Sequence, residues 1–292
     1  MKFISDYAKH LLLSTSLEDK LLPVPPDLFS DENQVSLRIT SPGRPSHLQF
    51  SKKKSKIPRI EHLNQLSQRG LALHHFANHE LMAIELFSWA LLAFPNISHK
   101  TKLGILRTIE EEQTHLKLYL DRMNDFGVTF GDIPLNYLFW KQTDRMHSIE
   151  EFSAIMSLSF EGANLDFSQI YAQAFLQHGD EKTAKIMVQV FEDEIKHVKR
   201  GVQILKTSES FQTDAWAYYQ SLISFPFTPR RAKGFVYFPE TRKMAGLPLS
   251  FIEALGEYQD EYTGKINWNG LGKINIENRV LRKSDLLSQS YV

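Results

Sequence analysis

Glu192-Asp193-Glu194-Ile195-Lys196-His197 carries a Glu-x-x-His step on a strongly helical segment, and the same step stands in Glu111-Glu112-Gln113-Thr114-His115. Residues three apart share one face of a helix. Glu194 with His197, and Glu112 with His115, can therefore each present a carboxylate oxygen and an imidazole nitrogen to one ion. Glu80 precedes Glu112 by 32 residues, and Glu161 precedes Glu194 by 33. One glutamate, a helical hairpin and one Glu-x-x-His thus occur twice, the ligand arrangement of a dinuclear carboxylate centre in a four-helix bundle.

The periodicity around these residues predicts an all-α chain with four long helices, over about 60–94, 100–125, 149–177 and 181–207. The first carries Leu73, Phe76, Glu80, Ala83, Ile84, Phe87 and Leu91 on one stripe; the second carries Ile105, Ile109, Glu112, His115, Leu116, Tyr119 and Met123. The third places Ala154, Leu158, Glu161, Leu165, Ser168 and Ala172 in line. Met187, Val190, Phe191, Glu194, His197, Val198, Gly201 and Val202 follow on the fourth. Acids on otherwise apolar stripes are the unusual feature, because an uncompensated buried carboxylate is costly. At ~1.5 Å of rise per residue, Glu80 and Glu112 lie at one level of their hairpin, and Glu161 and Glu194 at one level of theirs. Glu85 falls about 140° around the axis from Glu80 and is rejected as a ligand.

A crossover of about two dozen residues separates the second and third helices. Residues 3–13 predict a short helix and Ser16 the start of another, after which 27–58 reads as an extended wrapping arm. Lys52-Lys53-Lys54 in that arm reads as a solvated loop rather than a phosphate site. Beyond Lys206, residues 211–223 and 249–260 suggest peripheral helices around a loop at 226–248, and the last thirty residues show no periodicity. The expected organisation is an N-terminal helix and arm over 1–58, a four-helix bundle over 59–207, and a C-terminal extension over 208–292.

The charge balance, 34 basic against 34 acidic residues, favours neither nucleic acid nor an anionic membrane. The absence of cysteine removes disulfides, thiolate metal sites, iron–sulfur clusters and cysteine nucleophiles together. The apolar run around Leu86 to Phe94 is too short to span a bilayer, and Asp6, Lys9 and His10 spoil the N-terminus as a secretion signal. A cytoplasmic protein is expected. No Ser-His-Asp order, phosphate loop or dinucleotide fingerprint is present.

Four glutamates converging in an apolar interior repel one another unless neutralised, and two divalent ions supply the matching charge. Mixed oxygen and nitrogen ligation suits iron or manganese. The N–H of a ligating imidazole needs an acceptor, and Glu111 and Asp193, each directly before a ligand glutamate, are candidates to reach the histidine of the opposite half. Tyr119, one turn beyond His115, is a redox-active phenol, an outer hydrogen-bond donor or a core residue. Asn164, one turn after Glu161, is a polar pocket contact or a core hydrogen bond. His75 and His79 read as a surface or hydrogen-bonded pair away from the Glu80 stripe.

At His79-Glu80-Leu81-Met82-Ala83-Ile84-Glu85, Glu111-Glu112-Gln113-Thr114-His115, Phe160-Glu161-Gly162-Ala163-Asn164-Leu165-Asp166 and Glu192-Asp193-Glu194-Ile195-Lys196-His197, the chain resembles the ferritin-like superfamily of di-iron carboxylate proteins. More closely, it resembles a bacterial ferritin-like family described only as a domain of unknown function. Pro42-Gly43-Arg44-Pro45 and Arg242-Lys243-Met244-Ala245-Gly246 share in that likeness. The resemblance implies a ferritin-like bundle with Glu80, Glu112, His115, Glu161, Glu194 and His197 as metal ligands, but no substrate.

The leading functional expectation is an oxidase or monooxygenase that activates dioxygen at two iron ions, or at manganese and iron, with a reductase as electron donor in the monooxygenase case. A non-catalytic iron or manganese binding protein is the second reading. The arm and tail argue for a monomer or small homo-oligomer rather than a ferritin shell. A tRNA-modifying hydroxylase is the third, supported locally only by Lys52–Lys54 and Arg230-Arg231.

Overall fold

The computed structural model describes residues 1–31, 34–53, 55–260 and 274–287. Its elements are helical, with no strand among the described residues beyond the isolated bridges Phe3 with Phe29 and Phe50 with Leu135. This is compatible with a helical bundle. The chain divides into two compact units, one of Met1–Pro58 and Gln65–Ile149, the other of Arg59–Asn64 and Glu150–Val292.

In the first unit, α1 (Ile4–Leu13) and α2 (Leu17–Lys20) precede a hairpin of α3 (Leu66–Ala93) and α4 (His99–Asn124). Ser16 and Ser98 cap α2 and α4 by accepting the backbone N–H of Asp19 and Thr101. The first long helix begins at Leu66 rather than near 60, because Ile60–Asn64 forms a separate 3₁₀ turn. The single inward stripe expected for α3 is also too narrow, since 23 of its 28 residues are buried.

The N-terminal arm supplies the cover. Ser36 Oγ donates to Ala93 O at 2.8 Å, Leu37 N to Leu92 O at 3.0 Å, and Trp89 Nε1 to Ile39 O at 3.0 Å. Arg44, from the Pro-Gly-Arg-Pro stretch, reaches Glu85 with both Nε (2.9 Å) and Nη2 (2.7 Å). Lys20 Nζ lies 3.3 Å from the same carboxylate, and Trp140 Nε1 donates to it at 3.2 Å. Two cations and an indole thus hold Glu85, a fully buried acid, in place. On α4, Gln113 donates to the carbonyls of Lys20 and Leu22 at 3.0 and 2.9 Å, tying the N-terminal segment to that helix.

In the second unit, α5 (Ile149–Ile155) runs through a π segment at Met156–Glu161 directly into α6 (Gly162–Gln177). Gly179, at φ +74°, makes the turn to α7 (Glu181–Leu205), which Asp180 caps through the N–H of Thr183. Then follow α8 (Glu209–Thr213), α9 (Ala215–Leu222), α10 (Pro239–Met244), α11 (Leu249–Glu257) and α12 (Lys283–Leu287). The stretch read as a loop at 226–248 contains α10 and a 3₁₀ turn at Pro229–Ala232. A core of Phe191, Val198 and Val202 from α7 with Phe211, Tyr219 and Phe251 holds this extension.

Two polar devices fasten the remainder. Arg242 pairs with Asp166 on α6, and its Nη2 donates to the carbonyls of Gly162 (2.7 Å) and Ala232 (2.9 Å). Asp166 also accepts the N–H groups of Gly234 and Phe238. Gln169, Gln173 and Gln177, one turn apart on α6, exchange hydrogen bonds with the backbone of Leu281, Glu277 and Asn275. The tail, which shows no periodicity in sequence, is anchored on α6 over 275–281, while 261–273 and 288–292 lie outside the described residues.

Candidate metal centre

All six residues expected as ligands are buried, so they are not solvated surface acids with ordinary histidines. In the first unit, Glu80 on α3 and Glu112 and His115 on α4 each offer a ligand atom, and these atoms lie within 4.8 Å of one another. His115 Nδ1 is 3.4 Å from Glu112 Oε2. In the second unit, Glu161, Glu194 and His197 do the same within 4.8 Å. His197 Nδ1 lies 3.3 Å from Glu194 Oε2 and 3.9 Å from Glu161 Oε1. Donors about 2.0–2.2 Å from one ion lie at most ~4.4 Å apart, so modest adjustment brings each triad onto a common ion.

The donor chemistry fits a divalent cation. Each triad holds two carboxylates and one imidazole, so one doubly charged ion neutralises it. Oxygen with one nitrogen suits iron or manganese above a soft metal. In both triads Nδ1 faces the carboxylate, which leaves Nε2 to hold an outer acceptor.

Asn164 Nδ2 donates to Glu194 Oε1 at 3.0 Å. With Oε1 occupied, the carboxylate is turned so that Oε2 points toward the His197 ring. Ser168 Oγ donates to Asn164 O at 2.5 Å. Asp193, half-buried, accepts a 2.6 Å bond from Lys196 on the outer side of α7. Glu111 is half-buried on α4. Tyr119 is buried with its ring 5.7 Å from that of Phe76.

The π segment is the part that periodicity missed. Glu161 is its last residue, so the extra backbone residue sets the angular position of that carboxylate. Ser159 Oγ donates to Ala154 O at 2.7 Å and lies 2.7 Å from the Tyr219 hydroxyl. The widened turn pushes Ser157 against α7 at Gly201, where an added Cβ would lie 2.3 Å from Ser157 Cβ. Gly201 within an apolar stripe was the available signal, since glycine inside a helix often marks a close backbone approach.

His75 and His79 are not a surface pair. His75 is buried and His79 half-buried, its ring 5.1 Å from that of Phe139. The neighbouring His74 accepts the Gly131 N–H at 3.0 Å through Nε2. Burial, with the nearby His75, pushes the His74 imidazole down to about 4. Of Lys52–Lys54, the first two are exposed and Lys54 lies outside the described residues. Among the described residues no helix is long and apolar enough to cross a membrane.

No curated protein and no solved structure matches the chain. Residues 6–253 match the family described as "Protein of unknown function (DUF455)", in agreement with the likeness to a family described only as a domain of unknown function. The chain belongs to the DUF455 family.

Proposed function

We propose that the two triads are halves of one dinuclear centre in a ferritin-like four-helix bundle, and that the protein is an oxygen-activating oxidase or monooxygenase using two irons, or manganese and iron. The observation that carries this reading is the repetition of one buried Glu, Glu, His set on each of two helical hairpins. Four carboxylates and two neutral imidazoles balance two divalent ions, which is the condition for so many acids in an apolar interior.

Held by these six side chains, a ferrous pair would provide two electrons for dioxygen. The chain's own residues hold and orient. Glu80, Glu112, Glu161 and Glu194 bring the negative charge, and His115 and His197 complete the donor set. Asn164 fixes the rotamer of Glu194. Glu111 and Asp193 are proposed to accept the outer N–H of the histidine across the centre, and Tyr119 to serve as the nearby phenol for hydrogen-bond donation or one-electron transfer. For a monooxygenase, a reductase would return two electrons per turnover to the metal pair, and the substrate would give the other two of the four that dioxygen takes up.

The test is anaerobic loading of the metal-free protein with ferrous ion, followed by air. The expected result is two irons per chain and an oxygen-dependent change in the near-ultraviolet and visible spectrum. A protein holding two irons that shows no such change refutes oxygen activation and leaves a metal-binding role. A protein that holds none after reconstitution refutes the centre itself.

A further inference from the structure

We propose that the first unit carries a second ligand site, a groove that binds a planar aromatic anion of mononucleotide size. This assignment does not rest on the metal reading. The groove has a volume of about 980 Å³, at the upper end for small-molecule sites. Its aromatic lining comes from Trp89, Trp140, Tyr137 and Phe50, and Arg38, Lys52 and Lys141 bring positive charge to it.

The aromatic wall is fixed before any ligand arrives. Trp89 Nε1 is bonded to Ile39 O and Trp140 Nε1 to the buried Glu85 carboxylate. The Arg44 guanidinium, itself locked on Glu85, lies 4.0 Å from the centre of the Phe50 ring. Arg38 donates to Met146 O at 2.8 Å and His147 O at 3.1 Å, joining the arm to the end of the crossover. A preformed site loses little to ordering on binding.

The charge is what selects the ligand. The buried cations Arg44 and Lys20 are matched by the Glu85 carboxylate. Arg38, Lys52 and Lys141 form no ion pair with the described residues; Arg38 instead lies over the rings of Trp89 and Phe94, and Lys141 over Tyr137. All three are exposed at the groove and attract an anion to it, and a flat ring meets the half-buried rings of Tyr137 and Phe50 rather than the indoles of Trp89 and Trp140, which are buried. Stacking on aromatic side chains beside basic ones is the chemistry of nucleotide recognition. Asp144 is the one acid in the lining and suits a sugar hydroxyl or an exocyclic amine.

The groove is separate from the ligand triad. Trp89 stands nine residues after Glu80, ~13 Å along α3 and about 180° around it. The groove beside Trp89 is therefore on the far side of the helix from the Glu80 carboxylate.

The experiment is titration of the full-length metal-free protein with adenosine 5′-monophosphate and with phenyl phosphate, read by calorimetry and tryptophan fluorescence. Adenosine and inorganic phosphate serve as half-ligands. Saturable binding of the monophosphate is expected, at least about tenfold tighter than either half. Lys52→Gln with Lys141→Gln, both at exposed positions, is expected to weaken it about tenfold or more, and Glu80→Gln to leave it unchanged. A hexa-adenylate strand that binds about tenfold tighter than the monophosphate, with steep salt dependence, assigns the ring to a strand; equal or weaker binding assigns it to a free nucleotide. Failure of both aromatic phosphates to saturate by about 10 mM, or binding undiminished in the double lysine variant, overturns the site.

Discussion

Two glycines of the second unit are predicted to respond to the same substitution with opposite signs. Replacing a helical glycine by alanine ordinarily stabilises by about 1 kcal/mol. At Gly201 the new Cβ would stand 2.3 Å from Ser157 Cβ, 2.9 Å from Ser157 Oγ and 3.2 Å from Leu158 Cδ1. The clash is with the stem of a buried side chain on the π segment, so rotamer change cannot relieve it and α7 or the segment must move. Overpacking of a core costs about 1–3 kcal/mol, and an approach this close belongs at the upper end. Gly201→Ala is therefore expected to destabilise by about 2 kcal/mol net. At Gly162 the nearest atoms to an added Cβ are 3.6 and 3.8 Å away, ordinary contact. Gly162→Ala is expected to stabilise by about 0.5–1 kcal/mol. Urea unfolding of the metal-free protein, with the m-value checked for constancy, measures both. Ser157→Gly removes the opposing Cβ, so combined with Gly201→Ala it should recover about 2 kcal/mol of coupling in a double-mutant cycle. Gly201→Ala as stable as the parent, or strict additivity in the cycle, would refute the close packing of the π segment on α7.

Other outcomes follow from the same structure. Arg44→Met strips the bidentate partner from the fully buried Glu85; a loss of about 3 kcal/mol in urea unfolding is expected, and a loss near zero would show Lys20 alone to be sufficient. Glu194→Gln should reduce bound metal, measured by elemental analysis, while stabilising the metal-free protein by about 1 kcal/mol in thermal unfolding, because one buried carboxylate is removed. Asn164→Ala, which removes the amide bond to Glu194 Oε1, is expected to weaken metal binding by about 10- to 100-fold in competition with a chelator. For His74, the unfolded imidazole titrates near 6.5 and the folded one at about 4, so between those values the unfolded chain binds the extra proton. Its contribution to stability is complete above pH 6.5 and is lost as pH falls toward 4, by about 3 kcal/mol. Urea midpoints measured across that window should flatten in His74→Gln by up to one proton's slope.

The donor types and their pairing were legible because they depend on helical geometry alone. Glu112 with His115 and Glu194 with His197 share a face in any α-helix, and the apolar residues around them marked that face as inward. Helix ends were legible where local chemistry sets them, as at Ser16. Burial on the remaining faces was not. Periodicity gave α3 one inward stripe, whereas segments distant in the chain cover its other sides, Arg44 reaching Glu85 across 41 residues. The Gln169, Gln173 and Gln177 ladder was hidden for the same reason, since nothing local joins those amides to a backbone about a hundred residues away.

By itself, then, the sequence determined an all-helical chain and two equivalent sets of carboxylate and imidazole donors, because residue spacing on a helix is a local property. Tertiary structure alone decided where Glu161 points. The π turn at Met156–Glu161 exists because Gly201 leaves room for Ser157 and because Tyr219 and Arg242 meet the hydroxyl and carbonyl groups around it. Those partners are supplied by elements far along the chain, and no periodicity within the helix encodes them.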